Sequence, residues 1–278
     1  MSTILYKDHS RFWEENEYIY PVLSRRSQGI SIGINLTPWG QCTFRCLYCQ
    51  IQKVELRPEH RVDLDRLRSE LEKCVAFCVS GEIFRHPHFA GVSPRHQRIN
   101  DIAFSGDGEP TLSPVFYDAV KIAAEYRTGA MKLVLITNAT RLADAATQPA
   151  LDLLDAHHGE IWAKLDAGTE AFYQRVNQSH VPFADVLSGL TFAAKRRPLI
   201  LQTLFFQIDG EAPDDNEVAA YIGRIRDLIQ SGGKIRYIQL HSVCRMPAFS
   251  CCSPIPKERL IPYAERIYHE TGVEVRIF

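Results

Sequence analysis

The sequence predicts an α/β protein built on a parallel sheet. Short apolar runs alternate with segments of helical periodicity, and polar or glycine-rich residues follow each run. Runs that are apolar on both faces are typical of buried parallel strands, whereas half-exposed antiparallel strands alternate apolar and polar residues. A repeated β–α order implies right-handed crossovers between parallel neighbours. Six such units close part of a barrel or lie open as a doubly wound sheet.

The strands are predicted over residues 30–36, 102–104, 131–137, 161–165, 199–206 and 235–240. Leu64, Leu67, Leu71, Cys74 and Cys78 form one helical stripe, which assigns both cysteines to the core. Ser113-Pro114 reads as a helix start, with Ser113 as N-cap and proline at the first helical position. Asp214 and Glu217 have the spacing of a capping box. Val218, Tyr221, Ile222, Ile225, Leu228 and Ile229 follow on one face, and Gly232-Gly233 stops the helix. Residues 81–100 hold Arg85, His86, His88, Arg95, His96 and Arg98 with little periodicity. They read as a solvated basic loop, because no carboxylate accompanies the histidines as a metal partner.

Composition narrows the class. The chain has 278 residues, 45% hydrophobic and 23% charged, which excludes a disordered chain and a disulfide miniprotein. A chain of this size buries roughly 70–75% of its unfolded surface and needs no metal to fold. Lys+Arg is 32 and Asp+Glu 33, for a formal charge of −1. A wholly basic nucleic-acid surface is excluded, and a local basic patch is not. The N-terminal residues lack a signal pattern, and no apolar run approaches the about 18 residues of a membrane span. The expected location is the cytoplasm, without membrane association. Disulfides are rare there, so clustered cysteines among the eight point to metal binding or catalysis.

Ligands of parallel α/β folds sit at the carboxyl ends of strands. The first predicted strand leads into Cys42-Thr-Phe-Arg-Cys46-Leu-Tyr-Cys49, with the spacing C-x3-C-x2-C. The second leads into Ser-Gly106-Asp107-Gly108-Glu109-Pro110, the third into Asn138 and the fourth into Asp166. The fifth is followed by Gln207 and the sixth by His241. Soft thiolates select zinc or iron–sulfur centres. A closed zinc site wants four ligands, and no fourth Cys or His adjoins this segment. Three thiolates suit a four-iron cluster with one iron left open.

With its aromatic Tyr48 before the last cysteine, the segment resembles the signature of the radical S-adenosylmethionine (SAM) superfamily. Gly106-Asp107-Gly108-Glu109-Pro110 is similar to that family's glycine–glutamate–proline motif. Ser31-Ile-Gly-Ile-Asn-Leu-Thr37 and Phe104-Ser-Gly-Asp-Gly-Glu-Pro-Thr-Leu112 resemble one branch, the iron–sulfur oxidoreductases related to wybutosine (tRNA) biosynthesis. The resemblance covers roughly residues 25–245.

The resemblance implies a partial (β/α)6 TIM-like barrel over residues 30–245, with short extensions over 1–29 and 246–278. It implies a [4Fe–4S] cluster held by Cys42, Cys46 and Cys49, with SAM chelated to the open iron. An electron from a flavodoxin- or ferredoxin-type donor would cleave SAM to a 5′-deoxyadenosyl radical, which abstracts hydrogen from the substrate. Gly106 and Gly108 would let backbone approach SAM, with Asp107 alongside and Glu109 holding the ammonium. Tyr48 would pack near the adenine, Asn138 would reach the ribose and Lys164 would offset the SAM carboxylate. RNA is the substrate class the branch points to, with a peptide or small metabolite as alternatives.

Blander readings compete. Gly106-x-Gly108 fails as a dinucleotide fingerprint, because Thr111 stands at its sixth position and Thr137-Asn138, not an acid, ends the next strand. Lys164 and Asp166 also suit an ion pair, and Asn138 a turn. Gln202, Gln207, Gln239 and His241 are candidate substrate contacts or ordinary buried polar groups. Cys244, Cys251 and Cys252 are one ligand short of an auxiliary cluster and read as loop or core thiols. The alternative function is a non-catalytic zinc- or RNA-binding module with a structural cysteine site.

Overall fold

The computed structural model describes residues 13–51, 61–245, 247 and 249–278. The chain divides into two compact units, one of Met1–Gln41, Lys53–Ile136 and Ala146–Glu160, the other of Cys42–Gln52, Thr137–Ala145 and Ile161–Phe278. Both are of the α/β class, with mostly parallel strands.

In the first unit the strands run β1 (Ile19–Ser24), β2 (Gly29–Ile34), β3 (Ile99–Phe104) and β4 (Lys132–Thr137). β1 is antiparallel to β2, and the other pairings are parallel. Every residue of β2 is buried, as its apolar run requires. Tyr20 lies across β2 at Gly33, where a Cβ would stand 2.3 Å from the ring. Helices α1 (Leu64–Val79), α2 (Phe116–Tyr126) and α3 (Gln148–Ala156) belong to this unit. α1 starts at Asp63, whose carboxylate accepts the Asp65 and Arg66 N–H groups. Leu67, Leu71, Cys74 and Cys78 of its predicted stripe are buried, and Leu64 at its start is half-buried. Buried Glu70 on α1 accepts the N–H groups of Glu17, Tyr18 and Ile19, fixing the entry to β1.

In the second unit the order is β5 (Glu160–Lys164), β6 (Leu199–Leu204), β8 (Ile235–His241) and β10 (Val275–Ile277), all parallel. A separate antiparallel ribbon pairs β7 (Phe206–Ile208) with β9 (Cys252–Pro254). The helices are α4 (Glu170–Asn177), α5 (Phe183–Arg196), α6 (Asp215–Gln230) and α7 (Lys257–Thr271). No helix among the described residues is long and apolar enough to cross a membrane.

Four sequence expectations need correction. Ser113 caps no α-helix: it ends a 3-10 turn over Pro110–Leu112, and α2 starts only at Phe116, after Val115. Only half of the capping box forms. Asp214 accepts the Glu217 N–H at 2.7 Å, but the Glu217 carboxylate turns away to Gly168 and Thr169. The predicted fifth strand breaks at Phe205, so Gln207 lies on the ribbon rather than in a loop after a core strand. Residues 81–100 are not merely a solvated loop: they carry 3-10 turns over Glu82–Arg85 and Pro94–His96, anchored by buried Ile83, Phe89 and Val92. His96 is buried there too, its ring bonded to Gln28 and Ser93.

Candidate metal and cofactor site

The cysteine segment is held by the residues between its cysteines. Phe44 packs edge-on against Tyr173 of α4 at 5.6 Å. Leu47 enters an apolar cluster with Val176, Phe206, Ile208 and Cys252. Backbone bonds clamp the same stretch to the end of α4: Arg45 N–H donates to Asn177 O at 2.8 Å and Leu47 N–H to Val176 O at 2.9 Å. Ser179 Oγ donates to Thr43 O at 2.8 Å. Apolar anchors thus alternate with the thiols along the segment.

Each of the three sulfurs accepts an N–H group. Cys42 Sγ takes Phe44 N–H at 3.4 Å and Asn138 Nδ2 at 3.5 Å. Cys46 Sγ takes Asn177 Nδ2 at 3.4 Å, and Cys49 Sγ takes Ile51 N–H at 3.5 Å. Cys46 is buried and the other two are half-buried. Burial pushes the Cys46 thiol up to about 11, since a thiolate there has lost its water. No three His, Cys, Asp or Glu side chains among the described residues gather as ligands of a single metal ion. An iron–sulfur cluster is larger than an ion and is held by thiolates. Three thiols on one short segment, each already meeting an N–H donor, are a donor set that suits it.

Asp166, at the end of β5, organises the surroundings of Tyr48. It is 3% exposed and accepts the Tyr48 hydroxyl, Asn177 Nδ2 at 3.2 Å and Leu204 N–H at 2.9 Å. Lys164 Nζ stands 3.7 Å from Asp166 Oδ2 and 4.8 Å from the centre of the Tyr48 ring. The ion pair weighed from the sequence is therefore formed. The other edge of Tyr48 meets Phe206 at 5.4 Å. Asn138 makes an Asx turn with Thr140 and donates to Thr43 Oγ1 at 2.8 Å as well as to Cys42. Asn177 and the hub role of Asp166 escape sequence reasoning. Asn177 ends a helix with no local motif, and Cys46 lies 131 residues away from it.

The Gly106–Glu109 turn packs within the first unit against residues 35–41, which lead to Cys42. Asn35 Oδ1 accepts Asp107 N–H at 3.2 Å, and its Nδ2 donates to Asp107 Oδ2 at 2.7 Å. A Cβ on Gly106 would stand 2.2 Å from Asn35 Oδ1, and one on Gly108 only 1.9 Å from Gln41 O. Both glycines are therefore required by the chain's own packing. Glu109 is buried, and its Oε1 accepts Thr111 N–H at 3.2 Å and Thr111 Oγ1 at 2.6 Å.

The remaining candidates are satisfied groups. Gln202 Nε2 donates to Gln239 Oε1 at 3.3 Å, and Gln239 Nε2 reaches Tyr237 Oη at 3.5 Å. Gln207 Nε2 donates to Gly210 O, and His241 Nδ1 lies 3.3 Å from Gln239 O. The Cys251 and Cys252 sulfurs are 3.9 Å apart, and Cys244 is half-buried.

No protein-family model matches the chain. The UPF0026 protein slr1464 of Synechocystis sp. is 29% identical over 195 residues, 68% of this chain. The chain spans 64% of that relative's length. Among solved structures, TYW1 with a bound lysine-pyruvate adduct superposes with a TM-score of 0.55 at 16% identity, covering 89% of this chain and 75% of that one. A radical SAM methyltransferase from Sphaerobacter thermophilus superposes with a TM-score of 0.60 at 13% identity, covering 93% and 68%. At such identities the structures establish a shared fold, the α/β class of a partial TIM-like barrel. The fold shared with TYW1 and with a radical SAM methyltransferase agrees with the fold that the motif resemblance implied.

Proposed function

We propose that this protein is a radical SAM enzyme, with a [4Fe–4S] cluster on Cys42, Cys46 and Cys49. When bound, the cluster and SAM together supply one-electron cleavage of the sulfonium, releasing methionine and a 5′-deoxyadenosyl radical that takes a hydrogen atom from the substrate. The single observation that carries the reading is the sulfur environment: three thiols at C-x3-C-x2-C spacing, each accepting an N–H group. The chain's own part is to hold and orient. Phe44 and Leu47 fix the segment, Asn138 and Asn177 donate to two of its sulfurs, and the apolar cluster under Leu47 limits water. The backbone acceptors of Gly106, Asp107 and Gly108, with Glu109, are assigned to the SAM ammonium. The electron donor is assigned to the flavodoxin or ferredoxin type. The substrate class is RNA, supported by the branch resemblance and by exposed Arg85, Arg95 and Arg98.

The test is anaerobic reconstitution with iron and sulfide, followed by dithionite reduction with SAM. The expected result is about four irons and four sulfides per chain, a brown protein and slow release of 5′-deoxyadenosine. Stoichiometric zinc with no colour and no 5′-deoxyadenosine would instead identify a structural cysteine site.

A further inference from the structure

We propose that Asn177 sets the reduction potential of the cluster by donating an N–H···S hydrogen bond to the Cys46 thiolate. The inference rests on the reading above, that these cysteines hold a cluster. Asn177 is 2% exposed and is the last residue of α4. Its Nδ2 lies 3.4 Å from Cys46 Sγ and 3.2 Å from Asp166 Oδ2, so one amide nitrogen serves both acceptors. The opposite amide orientation would point Oδ1 at a thiolate and a carboxylate, two acceptors without a proton to give. The chemistry of the two neighbours therefore fixes which end of the amide meets the sulfur.

The position is rigid as well as oriented. Asp166 is itself held by the Leu204 N–H and the Tyr48 hydroxyl. The backbone carbonyl of Asn177 accepts Arg45 N–H beside Cys46. Side chain and main chain of one residue thus grip the same stretch of the cysteine segment. A donor on a ligating sulfur stabilises the more negative, reduced cluster more than the oxidised one, because the N–H dipole meets more charge there. Asn177 acts through Cys46 and is a positioning residue.

The experiment compares wild-type protein with Asn177→Leu and Asn177→Gln, each reconstituted anaerobically with iron and sulfide and titrated by EPR against dithionite. Leucine keeps the volume and removes the donor, while glutamine restores an amide. The Leu variant should show about a tenfold lower ratio of reduced to oxidised cluster at a fixed poise, a shift of about 59 mV to lower potential. The Gln variant should lie closer to wild type. Should Leu prevent folding, pulsed EPR on the wild-type reduced cluster after exchange into deuterated water replaces it. An exchangeable deuteron coupling seen in wild type, lost in Asn177→Ala and retained in Asn177→Gln supports the assignment, and a coupling unchanged in Asn177→Ala overturns it. A loaded Leu variant with the wild-type potential overturns the role of Asn177 and leaves the cluster reading intact. Wild-type protein that takes up no iron overturns both.

Discussion

Replacing Gly108 by alanine should destabilise the protein before any cofactor is added. A Cβ at this position would stand 1.9 Å from the Gln41 carbonyl oxygen, 2.6 Å from its carbon and 2.8 Å from Thr37 Oγ1. Two of these atoms are backbone, so no side-chain rotation relieves the overlap, and the two segments must part by about 1 Å or more to reach ordinary contact. That separation also stretches the bond from Glu109 N–H to Gln41 O, now 2.8 Å. Overpacking costs about 1–3 kcal/mol, and a buried donor left without its acceptor about 1–3 kcal/mol. The expected loss is about 2–6 kcal/mol, worth roughly 4–12 °C in Tm for a chain of this size. The assay is urea denaturation of iron-free protein followed by circular dichroism, so that SAM affinity does not enter. Gly223→Ala is the control: that glycine lies within α6 with nothing inside 4 Å of a Cβ, and alanine there should stabilise by about 0.5–1 kcal/mol. A Gly108→Ala protein within about 0.5 kcal/mol of wild type would refute the packing argument and return the glycine to a role in ligand approach alone.

Cys46→Ala should lose its iron and visible absorption on anaerobic preparation while keeping the wild-type circular dichroism spectrum, since the core does not depend on metal; a full iron complement would remove Cys46 from the ligand set. The double change Cys251→Ser and Cys252→Ser should leave the count at about four irons, and a fall from about eight would reveal a second cluster. Asp101→Asn tests the buried end of β3. Burial pushes the Asp101 carboxyl up to about 6 from an ordinary 3.8, against the opposing bond from Ser31. Because the folded-state value is the higher one, ionisation costs stability as the pH rises from about 4 to 6, and the full penalty persists above. Two units correspond to at most about 3 kcal/mol, so the Asn variant should be more stable at pH 8 and lose that pH slope; equal slopes in urea titrations at pH 4, 5, 6 and 8 would count against it.

The sequence makes the interior strands legible because burial on both faces leaves a continuous apolar run, as in β4. It conceals β1 because Pro21 interrupts Ile19–Ser24. A proline fits there since β1 is an edge strand, paired on one side only. β10 has three residues, too few for any period. Residues 81–100 show no periodicity because 3-10 turns, rather than a helix or strand, bring Ile83, Phe89 and Val92 inward. The three cysteines are legible from spacing alone, whereas their hydrogen-bond donors are not. Asn177 and Asn138 reach sulfur only after the chain has folded, across separations of 131 and 96 residues. Ser113 shows the limit of capping rules: Glu109 captures the Thr111 N–H first, and after the short turn it starts the helix begins two residues later than the predicted first position, at Phe116 instead of Pro114.

The interleaving of Phe44 and Leu47 with the thiols has a bearing on how the centre is built and lost. Small zinc modules collapse when stripped, because metal coordination is what folds them. Here the segment is moored by its apolar residues and by backbone bonds to α4, which require no metal. Chelators and oxygen should therefore extract iron from a scaffold that keeps its shape, and assembly machinery would meet a receptacle already formed. For the proposed cluster, repair after oxidative damage would then be a matter of re-metallation rather than refolding.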